Sequence, residues 1–274
     1  MAHRQFEGKE QASSYWKYRF PPPDHIIQHL LDFQKKQKAG SDLAVDVGCG
    51  PGRGTVLLAK HFASVVGLDV SPAQIEVALQ HSKEPNITYR QCVAEQLPFS
   101  GSSLDLVTSM SAFHWFNRPR FLQEVHRVLK PGGCLFLVCF NNNMELNFPN
   151  CCSDTLSQIS KEFSEEIKSY RCLHVGICPR NSYKEAYDSI LYPEKEWHDC
   201  VLVKRTMTLS NFIQLMKTLG DYQALVRDDP QKATRLSQDV SQRLMSEMGV
   251  TSIQTEVEAV MKYFYVLARK PQEV

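Results

Sequence analysis

The chain has 274 residues, 43% of them hydrophobic, and a formal net charge of +1, enough to bury one large core or one core with a sizeable insertion. That charge leaves no basic footprint for nucleic acid or an anionic membrane. With no apolar run near the roughly 18 residues of a spanning helix and a polar N-terminus, a soluble cytoplasmic protein is expected. Nine cysteines without a C-x-x-C pair, Cys49, Cys134 and Cys139 among them in apolar segments, suit a reducing compartment. Neither Cys172-Leu-His174 with Cys178 nor Cys151 beside Cys152 has a common zinc spacing, and no metal is expected.

In chain order, a helix is predicted over Asp24 to Lys38 from the stripe Ile26, Ile27, Leu30, Leu31 and Phe33, with a lysine-rich end. Val45-Asp-Val-Gly-Cys-Gly-Pro-Gly-Arg-Gly54 follows and reads as a strand, a tight loop and the start of a helix. Glycine lacks a Cβ and tolerates positive φ, so such a loop lets backbone approach a ligand closely. A nucleotide-like ligand is the first expectation. The dinucleotide fingerprint fails, because Arg53 or Thr55 falls where the third glycine belongs. The P-loop fails too, for want of a closing Gly-Lys-Ser/Thr.

Val65 to Val70 reads as a second strand with Asp69 near its tip, where a carboxylate can accept from both hydroxyls of a ribose. Ser71, Pro72 and Gln74 then predict a capped helix start, with a Ser-x-x-Gln capping box and a Val70–Ile75 staple. Ile87 to Cys92 is a third strand, Leu104 to Ser109 a fourth that is apolar enough for burial on both faces, and Cys134 to Phe140 a fifth. Between the last two, Phe121, Leu122, Val125, Val128 and Leu129 recur at helical spacing, and Pro131-Gly-Gly133 stops that helix. Alternating strands and helices mean an α/β, doubly wound parallel sheet that binds ligands beyond its strand carboxyl ends. Residues 141–196 are too long for a plain connection and are read as a helical cover over the active site. Trp197 to Leu209 is a candidate sixth strand, Ser210 the cap of a helix over Asn211 to Leu219, Asp221 to Ala259 a polar helical insertion, and Met261 to Arg269 the terminal strand.

Asp46 and Gly-x-Gly-x-Gly from Gly48, Asp69 on the second strand, and Ala94-Glu95 after the third together resemble class I S-adenosylmethionine-dependent methyltransferases of the type 11 family. The likeness implies their Rossmann-like seven-stranded sheet, mostly parallel with an antiparallel last strand, in a single domain: residues 1–39 an arm and helix, 40–140 the cofactor core, 141–196 the cover, and 197–274 the closing strands with their insertion. It implies S-adenosylmethionine as cofactor, S-adenosylhomocysteine as product, and cofactor contacts from Tyr15, Asp46, Gly48, Cys49, Gly50, Asp69, Val70, Ala94, Glu95, Ser109, Met110 and His114. Asp46 is equally readable as a cap on the glycine loop that accepts its backbone N–H groups. Tyr15, Tyr18 and Arg19 before Pro21-Pro-Pro23, with His114-Trp-Phe116, resemble the trans-aconitate methyltransferase branch, although Leu219-Gly220 stands where a Trp-Ser is common.

The resemblance thus implies methyl transfer to a small, acidic acceptor, with O-methylation of a carboxylate favoured. Arg19 would pair the acceptor's carboxylate, with Tyr18 beside it. His114 is a candidate base, cofactor contact or packing residue. The arm and the cations Arg171, Arg180 and Lys184 are equally readable as packing and solvated surface. A cofactor-binding protein without turnover is the alternative. A protein or RNA methyltransferase is a weaker one, because Met110-Ser-Ala-Phe113 stands where an amine-binding Asn-Pro-Pro-Tyr-type tetrapeptide would be.

Overall fold

A computed structural model describes residues 6–36, 40–170 and 179–272. Arg171, Cys172, His174 and Cys178 lie outside the described residues. The strands are β1 (Leu43–Val47), β2 (Ser64–Asp69), β3 (Ile87–Gln91), β4 (Leu104–Met110), β5 (Leu129–Phe140), β6 (Glu145–Asn147), β7 (Glu194–Thr208) and β8 (Glu256–Arg269). The helices are α1 (Lys9–Tyr18), α2 (Asp24–Lys35), α3 (Pro72–His81), α4 (Arg118–Val128), α5 (Ser153–Lys168), α6 (Pro179–Ser189), α7 (Leu209–Lys217), α8 (Gly220–Asp228) and α9 (Pro230–Met248).

Among the described residues, eight strands form one sheet in the order β3-β2-β1-β4-β5-β8-β6, with β7 also paired to β8. β1 to β5 are parallel, and β8 runs antiparallel to β5, β6 and β7. The expected seven strands are therefore present, and β6 is an eighth. It pairs with Glu258 to Val260 of β8, just past the stretch that holds β5.

Successive residues of the inner strands feed opposite faces, as the pleat requires. Leu106, Phe136 and Val138 pack with Ile26, Leu30 and Phe33 of α2, with Phe163 of α5 and with Phe212 of α7. Val107, Leu135 and Leu137 pack with Phe121 and Val125 of α4 and with Tyr183 of α6. With helices on both faces, the ends of β1, β2 and β4 are left open at one edge, and the chain crosses over there.

The structure corrects several boundaries. After the glycine loop there is a one-turn 3-10 segment, Thr55–Leu58, rather than an α-helix. Ser71 caps α3 by accepting from Gln74 N, but its own N–H goes to Asp69 Oδ1 at 2.9 Å, so the capping box closes on one side only. Strand β5 starts at Leu129, with Pro131 and Gly133 inside it and Gly132 at φ 81 donating to Lys270 O. At the β7 end, Thr208 caps α7 by accepting from Asn211 N, and Leu209 and Ser210 are helical. The insertion before β8 is two helices, α8 and α9.

Candidate active site

A cavity opens at the carboxyl edge of β1 and β2 and is lined by Val47, Gly48, Gly50, Asp69, Val70, Ala94 and Glu95, among others. Its shape starts with the glycine loop. Gly48 and Cys49 donate to Leu68 O at 2.7 and 2.9 Å, tying the loop to the second strand. Gly48, Gly50 and Gly52 have φ of 69, 54 and 88, values that suit residues without a Cβ. A Cβ on Gly48 would overlap Ala112 and lie 2.9 Å from Phe116 Cζ, whereas one on Gly50 would meet only Gln74 Oε1 at 3.7 Å. The loop is thus packed beneath Gly48 and open above Gly50, where a ligand can reach backbone.

Asp69 is half-buried and already employed. Its two carboxylate oxygens accept from Gly50 N and Ser71 N, each at 2.9 Å. Burial pushes its carboxyl from 3.8 up to about 6, against the pull of those two backbone donors. Each oxygen has further lone-pair capacity facing the cavity. The Glu95 carboxylate likewise accepts from Asn117 N at 2.7 Å while lining the cavity wall.

Four of the residues expected at the cofactor lie behind this wall. Asp46 is buried and accepts from Thr55 Oγ1 at 2.7 Å and Thr108 Oγ1 at 2.9 Å, a brace between two threonines where loop N–H groups were the expected donors. Burial raises its carboxyl from 3.8 to about 6, and the two hydroxyls pull against that. The Cys49 thiol is buried under the loop, which pushes it well above its ordinary range. Ser109 is fully buried at the end of β4, and Met110 packs under Gly54. The cavity is reached two residues later, by Ser111 and Ala112, after Ser111 turns through a φ of 66 and donates to Val138 O.

The N-terminal arm forms the roof. Ser71 Oγ donates to Phe6 O at 2.7 Å, the Phe6 ring meets Tyr15 and Trp115 edge to face, and Arg53 lies over the Trp16 ring and donates to Trp16 O. Phe6, Tyr15, Ser111 and Trp115 also line a second cavity, so the two adjoin. Arg19, His114 and Asp221 line that second cavity. The buried Arg19 guanidinium sits 5.1 Å from both the Tyr15 and the Phe140 ring centroids; Nε has no hydrogen-bond partner, and no ion pair is made to it among the described residues. Tyr15 lines both cavities, and burial raises its phenol while Arg19 pulls it down. Tyr18 lines neither; Lys17 Nζ lies over its ring. Of the cover cations, Arg180 pairs with Asp199 and Lys184 with Asp188, both away from the two cavities.

Residues 45–137 match the family model described as a methyltransferase domain. Over residues 45–137 the chain therefore carries a methyltransferase domain of the S-adenosylmethionine-dependent kind. A Dictyostelium discoideum protein named as a methyltransferase is 38% identical over 126 residues, 46% of each chain. The phthiotriol/phenolphthiotriol dimycocerosates methyltransferase of Mycobacterium leprae is 36% identical over 131 residues, 45% of this chain and 48% of that protein. The chain thus spans about half the length of these relatives. A solved structure from Anaeromyxobacter dehalogenans, titled as a type II methyltransferase, superposes with a TM-score of 0.73 at 20% identity, covering 93% of this chain and 100% of that one, which shows a shared fold.

Around the first cavity the structure adds residues that motif spacing does not indicate. Gln74, one turn into α3, is buried in the cavity wall with Oε1 lacking a partner. Its sequence signal was absorbed by the capping pattern. Phe6 and Trp115 roof the cavity, and no local pattern marks an aromatic for that use.

Proposed function

We propose that the protein transfers a methyl group from S-adenosylmethionine to a carboxylate oxygen of a small acidic acceptor. The cofactor fits the first cavity: the orphaned Gln74 Oε1 and the Asp69 carboxylate offer acceptors to amine and ribose donors, and the surface above Gly50 is open to backbone approach. Gly48, Gly50, Asp69, Val70, Ala94 and Glu95 would hold it, with Tyr15 closing over it. When bound, the cofactor supplies an electrophilic methyl group on a sulfonium.

The single observation that carries the acceptor assignment is Arg19, a buried guanidinium between two rings whose Nε has no hydrogen-bond partner and which makes no ion pair among the described residues. Arginine presents a planar fork that pairs a carboxylate through two hydrogen bonds. Tyr15, Phe140 and Trp115 exclude water from that pair and hold the acceptor at the junction of the two cavities. A carboxylate needs no base at neutral pH, so His114 is left to orient the acceptor; with a hydroxyl acceptor it would take the proton. The unpaired Cys49, Cys134 and Cys139 suit a reducing, cytoplasmic setting, and no helix among the described residues is long and apolar enough to cross a membrane.

The test is methyl transfer from labelled cofactor across a panel of small carboxylic acids, phenols and lipid alcohols, beside Arg19→Gln. An acidic acceptor is expected, with KM raised about 10- to 100-fold by Arg19→Gln, the loss of one charge-assisted pair, and with cofactor affinity little changed. An equal loss of cofactor affinity would mean that Arg19 holds the cofactor's own carboxylate. Cofactor binding without turnover on any acceptor would replace the reading by a non-catalytic binding protein.

A further inference from the structure

Away from both cavities, α2 and β7 bring His29, Glu196 and His198 together, with one ligand atom of each within 4.8 Å of the others. The Glu196 Oε2 atom lies 3.1 Å from His29 Nε2 and 2.9 Å from His198 Nε2. Tetrahedral zinc with ligands at about 2.0–2.1 Å sets its donor atoms roughly 3.3 Å apart, so these separations need open by only a few tenths of an ångström. We propose that His29, Glu196 and His198 form a binding site for a divalent first-row metal ion, zinc above all, independent of methyl transfer.

The surroundings support a metal more than a chance hydrogen-bond cluster. His29 Nδ1 lies 2.9 Å from Tyr265 Oη. A proton on Nδ1 donated to that oxygen leaves Nε2 with its lone pair toward the site, the outer-shell arrangement metal-bound histidines use. The His198 ring stacks on Tyr265 at 4.5 Å and 11°, and the His29 ring meets His198 edge to face at 4.7 Å, so one tyrosine fixes both imidazoles. Two imidazoles and one carboxylate suit zinc, and the three residues leave a fourth position for water or an external ligand. The opposing charge is Lys36, whose Nζ lies 3.0 Å from Glu196 Oε1. Metal binding would release the protons shared in this network and tie α2 to the edge strand β7.

The test uses the tag-free full chain, stripped by chelator and titrated with Zn2+ alone by calorimetry and with Co2+ by visible absorption. One saturable equivalent is expected, with the d–d bands of a nitrogen–oxygen site and no sulfur-to-cobalt charge transfer. His29→Gln and His198→Gln should each weaken binding about 100-fold or more, since even outer-shell losses cost 10- to 100-fold. Lys36→Met keeps all three ligands and should bind at least as tightly as the parent, which separates loss of a ligand from loss of the fold. Absence of a saturable equivalent, binding retained in the His29→Gln/His198→Gln double variant, a thiolate charge-transfer band, or loss in Lys36→Met would overturn the assignment.

Discussion

Gly48 and Gly50, two residues apart in the same loop, have opposite reasons for lacking a Cβ. At Gly48, alanine would carry both the strain of a φ of 69 and an overlap with Ala112 and Phe116, so Gly48→Ala should destabilise the free protein by about 3 kcal/mol. At Gly50 the space is open, and Gly50→Ala should cost only the backbone term of about 1–2 kcal/mol. Cofactor affinity reverses that order of interest: Gly50→Val should abolish binding while the chain stays folded, as calorimetric titration beside a melting curve would show. Asp46 offers a second residue-scale contrast. Its folded carboxyl is raised from 3.8 to about 6, so its contribution is most favourable below the unfolded value and is lost as pH rises through about 6. Asp46→Asn removes that dependence, and its stability relative to the parent should therefore improve by up to roughly 3 kcal/mol between pH 4 and pH 7. A flat difference in unfolding free energy over that range would show that the carboxylate is not paying a burial cost between Thr55 and Thr108.

At the scale of elements, the arm is the part of the site most cheaply removed. Helix α1 buries only Ala12 among its own residues, while Phe6 and Tyr15 roof the cofactor cavity and Arg19 follows at its end. A chain starting at Pro21 should fold with a melting temperature within a few degrees of the parent, yet lose at least about tenfold in cofactor affinity, the 1.4 kcal/mol of one or two lost contacts. Unchanged affinity would make the arm a passive cover. The elements legible in the sequence are those whose signal is local: the buried strands β1, β2, β4 and β5, the glycine loop, and Asp69 at a strand tip. Those misread are set by partners far along the chain. β7 begins at Glu194 because it pairs with β8 from Arg269 onward, and its charged, half-exposed residues give an edge strand no apolar period to read. β6 is too short to leave a pattern, and it exists only through Ala259 and its neighbours on β8. Thr208 rather than Ser210 caps α7, since both residue types suit a cap and the end of the β7 ladder decides between them. Gln74 was legible as a capping residue and illegible as a cavity wall, because Asp69 takes the Ser71 N–H that the capping box would have given it.

For the whole molecule, the proposed cofactor site and proton binding meet at Asp69. The free protein holds this carboxyl near 6, above its unfolded value of 3.8, so its stabilising contribution is greatest in acid and falls away as pH rises through about 6. A ligand whose hydroxyls donate to the ionised carboxylate does the reverse and lowers that value in the complex. Affinity should accordingly weaken as pH falls below about 6, and the rise in melting temperature caused by the cofactor or its demethylated product should grow from pH 5 to pH 7.5 and then level. At neutral pH and a hundredfold excess over Kd, the ligand adds about 2.7 kcal/mol, roughly 5–10 °C for a domain of this size. In Asp69→Asn the affinity should drop about 10- to 150-fold, the 1.5–3 kcal/mol of a hydrogen bond to a charged group, and the pH dependence of the shift should disappear with it. A shift that keeps its pH dependence in Asp69→Asn would move the titrating group elsewhere, to Asp46 behind the loop, and would remove Asp69 as the ribose acceptor.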